Sequence, residues 1–230
     1  MKIGIISIHY GVNFGSALQA YALPQYIKST FPNAETEVVN YIPPRYRFKN
    51  QYSYNGGTGI KKRAGWMLRA MQRFINDSKY KKYLFSITNV SPQIFDAKTA
   101  EDRYKEYDCL ITGSDQIWNS DYNQGFDPMY YLCFANTSTK KVSYAASCGK
   151  NSFSDVEWAK MKESLKSFSK ISVRESSTAE IMRNKGIECQ FVLDPTYLLS
   201  KEEWSKLEKK EKIKEQFLLI YLLDVDGRDI

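Results

Sequence analysis

The sequence predicts an α/β protein, built on a mostly parallel sheet with helices on both faces. Three observations lead there. Short apolar runs rich in β-branched residues alternate along the chain with helix-length stretches. Most of the runs close on a knot of Gly, Ser, Asp or Asn, where a strand would hand over to a helix. Two handovers, Ser16-Ala17-Leu18-Gln19 and Ser200-x-x-Glu203, have the form of a capping box.

Composition narrows the class further. A chain of 230 residues can hold one large domain, or one domain and part of a second, since domains usually run to about 100–200 residues. With 43% hydrophobic residues, 14% aromatic residues and 17 Tyr, disorder is not the default. No apolar run approaches the roughly 20 residues that span a bilayer. His9, Asn13 and Ser16 interrupt the first apolar stretch before a signal-peptide core could form, so a cytoplasmic protein is expected. Cys109, Cys133, Cys148 and Cys189 are widely spaced and are read as reduced core residues, and no metal site is expected. His9 is the single histidine, too few for a histidine-rich metal centre.

The net charge of +7 is concentrated in one place. Between Arg45 and Lys82 eleven Lys or Arg face the single acid Asp77, which gives that stretch +10 and leaves −3 for the rest. A local anionic partner therefore fits better than general nucleic-acid binding.

Taken in order, residues 3–8 (IGIISI) read as the first strand and end in the loop His9-Tyr10-Gly11-Val12-Asn13-Phe14-Gly15. The capping box at Ser16 then opens a helix, completing the first unit of a Rossmann-like domain. The loop lacks Gly-x-Gly-x-x-Gly, which disfavours NAD. Its backbone N–H groups suit a phosphate or carboxylate, and its glycines equally suit a plain tight turn. Pro24 inside the helix predicts a kink or an early end. Residues 37–41 (EVVNY) read as the second strand, stopped by Pro43-Pro44.

Residues 45–82 form a basic excursion, a loop followed by a helix over 60–75. Ala64, Met67, Ala70 or Met71, and Phe74 make its apolar stripe, with Lys61, Lys62, Arg69 and Arg73 mostly off it. The plain use of such a helix is an apolar stripe on the core and a solvated charged face. The alternative is an interfacial or anion-collecting helix near a membrane surface, suited to a diphosphate-linked or lipid-linked substrate.

Residues 107–119 (YDCLITGSDQIWN) are the stretch around which the chain is organised. Cys109-Leu110-Ile111-Thr112 reads as a buried strand; Gly113 breaks it, and Ser114, Asp115, Gln116, Trp118 and Asn119 stand where its carboxyl end opens. Ligands bind at that end in open α/β sheets. Ser and Asp there also suit a helix cap, and the site reading is preferred because other polar loops converge on the same edge. Those are the Asn13-Gly15 loop, Ser147-Gly149 after a strand over 141–147, and Arg174-Glu175 after a short strand over 171–173. Helices are expected over 155–168 and up to about Asn184. A strand over 191–193 closes on Asp194-Pro195, read as a turn former. A charged helix over 201–214 precedes a last strand-like run over 217–223, read as the start of a second domain, 201–230, after a first domain 1–200.

Five segments in register resemble the polysaccharide pyruvyl transferase family: residues 10–23, 107–108 with 113–119, 143–147, 171–175 and 193–196. The resemblance implies two Rossmann-like halves in a GT-B-like architecture with a cleft between them. It implies transfer of pyruvyl from phosphoenolpyruvate, a donor substrate with no cofactor, onto sugar hydroxyls of a cell-surface polysaccharide or its precursor. That chemistry needs cations for the donor's phosphate and carboxylate, an acid for the enol carbon and a base for the hydroxyl. Candidates are Arg174 as an anion ligand or ion-pair residue, Asp115 and Asn13 as acceptor-sugar ligands, and His9 as acid or base. Gly15, Ser16, Gly113, Ser114, Gln116, Trp118, Ser147 and Glu175 complete the expected substrate-binding set.

The family's donor-binding residues lie in a second half, so the 230 residues are expected to supply mainly the acceptor side. The expected partners are a sugar or polysaccharide precursor, diphosphate-linked in one reading, together with peripheral membrane contact through 60–75 and an oligomer. No nucleic acid is expected. A sugar-nucleotide glycosyltransferase of the same fold and a non-catalytic carbohydrate-binding domain are the alternatives, since fold does not fix function.

Overall fold

Side-chain alternation along two neighbouring strands buries the sheet on both faces. A computed structural model describes residues 1–47, 59–92, 96–136, 138–208 and 215–218. In chain order its elements are β1 (Lys2–Ile6), α1 (Phe14–Thr30), β2 (Glu35–Val38), α2 (Ile60–Ile87), α3 (Ala97–Arg103), β3 (Cys109–Thr112), α4 (Ser120–Asn123), β4 (Lys140–Ser143), α5 (Asp155–Leu165), β5 (Ser172–Val173), α6 (Ser176–Asn184), β6 (Gln190–Phe191) and α7 (Lys201–Ser205). Ile3 and Ile5 of β1 with Cys109 and Ile111 of β3 meet Leu23 and Ile27 of α1 on one face. Ile6 and Leu110, offset by one residue, join Trp118, Tyr130 and Trp158 on the other. Both faces being covered accounts for the continuous apolar runs.

β2, β1, β3 and β4 form a parallel sheet in that order, and β5 pairs in parallel with β6. Single backbone bridges from Val142 to Lys170 and from Ala146 to Val173 set the β5–β6 pair beside β4. Strands are thus added on one side of β1 and then on the other. The order reverses between β1 and β3, and in open α/β sheets ligands bind outside the carboxyl ends at such a switch point. Gly4 lets β1 lie under Tyr107 and Leu110, since a Cβ there would come within 2.9 Å of both side chains.

Several boundaries differ from the sequence reading. β1 ends at Ile6 and β2 starts at Glu35, because the ladder begins where Lys2 meets Glu35. β4 ends at Ser143, since Ala145 takes a left-handed backbone (φ 55) that a ladder cannot follow. The strand expected over 171–173 shortens to Ser172–Val173, the one expected over 191–193 moves to Gln190–Phe191, and the helix over 155–168 ends at Leu165. Cys133 is exposed and not a core residue, whereas the other three cysteines are buried and free. The chain divides into two compact units, Met1–Ser200 and Lys201–Ile230. Within the second, α7 runs from Lys201 to Ser205, and residues 209–214 and 219–223 of the expected helix and strand lie outside the described residues.

Pro24 does not end α1, which runs on to Thr30. Proline removes the donor that Ala20 O would have received, and Thr88 Oγ1 lies 3.4 Å from that carbonyl instead. The capping box at Ser16 is also replaced. Asn13 is the N-cap and its side chain accepts from Ser16 N, while Gln19 Nε2 donates to Ile8 O and Ser16 O.

α2 is longer than expected, reaching Ile87, and it docks by a different stripe. Tyr80 and Leu84 are buried against Ala17, Ala20, Val38 and Val90. The stripe expected to face the core is exposed at Met67, Met71 and Phe74. The anchor lies beyond Ile75, outside the window in which the periodicity was evident, and it selects the neighbouring face. No helix among the described residues is long and apolar enough to cross a membrane.

Candidate functional site

Gly113 follows β3 at this switch point, and a Cβ there would come within 3.1 Å of Ser7 Cβ and 3.3 Å of Ile5 Cγ2. The missing side chain lets the ends of β1 and β3 approach. Ser7 Oγ donates to Ser114 O at 2.6 Å, tying the two ends together. Ser114 Oγ donates in turn to Asp194 Oδ2 at 2.7 Å.

Asp115 is the turning point of this edge, with a left-handed backbone at φ 83. Asp tolerates that region better than most residues because its short polar side chain bonds locally. Here Oδ1 accepts Gln116 N at 2.8 Å and Oδ2 accepts Ser16 Oγ at 2.6 Å. Its carbonyl accepts both Ile117 N at 2.8 Å and Ser147 N at 3.0 Å. Asp115 therefore joins the start of α1, the end of β3 and the loop after β4.

The remaining loops attach to it in series. Ser147 Oγ donates to Glu175 Oε1 at 2.6 Å. Arg174 Nη1 donates to Asp194 Oδ2 at 3.1 Å, and its Nε lies 3.5 Å from Glu175 Oε1. Burial would lower the Arg174 pKa, but the Asp194 and Glu175 carboxylates raise it above its ordinary value. Burial would raise that of Asp194; bonds from Thr196, Ser114 and Arg174 outweigh it and hold the carboxyl below its ordinary value. Of the two roles open for Arg174, the geometry fits the ion pair. Asp194 caps the turn at Pro195, as expected, and also holds Ser114 and Arg174, which its place before a proline did not signal.

Gly149 borders Gln116 and Asn119, whose side chains bond at 2.8 Å. A Cβ on Gly149 would come within 2.6 Å of Asn119 Nδ2, and the residue is left-handed at φ 59. Gly15 sits beside the Asn13 side chain, with 3.3 Å from an added Cβ to Oδ1. Tyr80 OH donates to Asn13 O at 2.9 Å, so α2 braces this loop. Tyr80 and Ser7 were not expected near the site.

Two expected site residues stand apart. Trp118 is buried, stacks on Tyr131 at 5.4 Å and donates from Nε1 to Tyr130 O at 3.1 Å, so it supports the edge from within the core. His9 is also buried, with Nδ1 3.0 Å from Ser7 O and Nε2 3.2 Å from Asn40 Oδ1, so its ring is linked to the Asp115 cluster through the Ser7 backbone.

Burial lowers the His9 pKa, outweighing the bonds to Ser7 and Asn40. Its folded pKa is therefore below the unfolded value of about 6.5, and the unfolded chain takes up the proton first. Stability should fall as pH drops below about 6.5, by up to about 1.4 kcal/mol per unit, until the folded pKa is reached. Urea unfolding midpoints measured from pH 7 to pH 5 should show this slope in the wild type and lose it in His9→Gln. An equal slope in both would exclude His9 as its source.

These features define an α/β protein whose polar residues cluster at the switch point of a parallel sheet. The chain matches the model of the polysaccharide pyruvyl transferase family over residues 13–230, and it belongs to that family. The family implies a polysaccharide acceptor. No curated protein and no solved structure matches the chain.

Proposed function

We propose that this protein transfers the pyruvyl group of phosphoenolpyruvate to hydroxyls of a sugar in a cell-surface polysaccharide or its precursor. The carboxyl edge of the Met1–Ser200 sheet forms the acceptor side. The observation that carries this reading is the carboxylate at the turning point of that edge, Asp115, with accepting capacity left over. A carboxylate offers roughly four acceptor positions, and Asp115 meets Ser16 and Gln116. Such a group suits a sugar hydroxyl, which donates.

In the reaction the enol carbon of phosphoenolpyruvate gains a proton, and one sugar hydroxyl adds to the adjacent carbon as it loses its own proton. A second hydroxyl displaces phosphate and closes the ketal. Asp115 holds or deprotonates the attacking hydroxyl; Arg174 positions Ser114 and Asp194 behind it. His9, Asn13, Gly15 and Ser147 shape the surrounding loops. Donor and acceptor meet in a GT-B-like cleft of two Rossmann-like halves, of which this edge is one wall. A cavity of about 1110 Å³ bordered by Gly11, Arg45, Arg69 and Arg73 supports an acceptor carried on a diphosphate. The protein works in the cytoplasm at the inner face of the membrane.

The test is to incubate the protein, together with the donor-binding half that the family resemblance implies, with phosphoenolpyruvate and polysaccharide fragments, following phosphate release and the ketal methyl signal by NMR. Matched appearance of both is expected. Release of nucleotide from sugar nucleotides without ketal formation would assign a glycosyltransferase, and sugar binding without turnover a binding domain; either result overturns the proposal.

A further inference from the structure

α2 docks through one apolar stripe and leaves a second one exposed. Trp66, Ala70, Arg73, Asp77, Tyr80 and Leu84 recur at spacings of three and four and form its inward stripe. Met67, Met71 and Ile75 follow one another at spacing four on the other side, with Ile60 a heptad before Met67 and Leu68 beside it. These five side chains are 43–88% exposed. At about 1.5 Å per residue they make an apolar strip about 24 Å long, far more than single scattered exposures.

The same helix carries eight Lys or Arg against Asp77 alone, a net +7 that equals the charge of the whole chain. Lys79 and Lys82, four and seven residues beyond Ile75, continue the outward face and are exposed. We propose that this outward face of α2 rests on a membrane containing anionic lipids. The helix axis lies parallel to the surface, methionine and isoleucine side chains enter the headgroup–acyl boundary, and the cations meet lipid phosphates. Charge selects this occupant. A second copy would bring an identical +7 helix against the first, and a nucleic acid would leave the apolar strip in water. The inference does not depend on the transfer reaction.

Co-sedimentation with vesicles tests it. The protein should bind vesicles of phosphatidylglycerol and phosphatidylcholine in equal parts, and bind phosphatidylcholine alone about tenfold more weakly or not at all. Raising the salt should weaken binding. The double variant Met67→Asp, Met71→Asp should lose about tenfold or more in affinity. Its circular dichroism and melting should match the wild type, because both side chains are exposed. Absence of binding to the anionic vesicles, or binding that the double variant leaves unchanged, would overturn the proposal. So would a concentration-dependent dimer abolished by Met71→Asp, or tighter binding to duplex DNA than to vesicles.

Discussion

Trp118→Ala is expected to destabilise the protein by about 3–5 kcal/mol, the range for truncating a large aromatic residue in a packed core. Trp118 is among the largest fully buried side chains, stacked on Tyr131 and edge-on to Phe168 at 6.3 Å. The loss is a cavity and not an orphaned acceptor, because Tyr130 O also accepts Thr112 Oγ1 at 2.9 Å. Trp118→Phe should therefore recover much of the stability, and guanidinium unfolding of the three proteins measures the series. A change below about 1 kcal/mol for Trp118→Ala would mean that the indole is not a core element.

Asp115→Asn is expected to lower pyruvyl transfer by about a hundredfold or more, the scale of a lost acid–base group. Asn tolerates a left-handed backbone much as Asp does. Its Oδ1 can accept from Gln116 N, as Asp115 Oδ1 does, while Nδ2 donates to the Ser16 hydroxyl, which accepts as well as donates. The substitution thus removes the charge and keeps the turn, and the melting temperature should hardly move. Ser16→Ala, which removes one neighbour of the carboxylate and leaves the charge, should cost much less activity. Full activity in Asp115→Asn would remove Asp115 from the reaction and leave it as a structural knot between α1, β3 and the β4 loop.

Much of this was legible in the sequence for local reasons. The run from Cys109 to Thr112 became β3 with the expected bounds, because four consecutive buried residues between Asp108 and Gly113 leave a strand little choice. Parallel order followed from alternation of strands and helices. The convergence of Asn13, Asp115, Ser147 and Arg174 followed as well, since the carboxyl ends of parallel strands share one edge. Residue types at those ends were enough to place the candidate edge.

What lay beyond the sequence depended on partners distant along the chain. Trp118 is five residues past Gly113, and only the packing of Tyr131 and Phe168 turns it inward. Ser16 looked like a cap, yet its hydroxyl goes to Asp115, ninety-nine positions away. Pro24 is tolerated because Thr88 lies against the carbonyl it frees. The face on which α2 docks was set by Tyr80 and Leu84, not by its more evident apolar stripe. By itself the sequence indicated the main strands, the parallel character of the sheet and the family, all encoded in local patterning and short motifs. The tertiary structure alone decided which polar groups bond to each other and which apolar face stays exposed, because both depend on contacts that local periodicity does not encode.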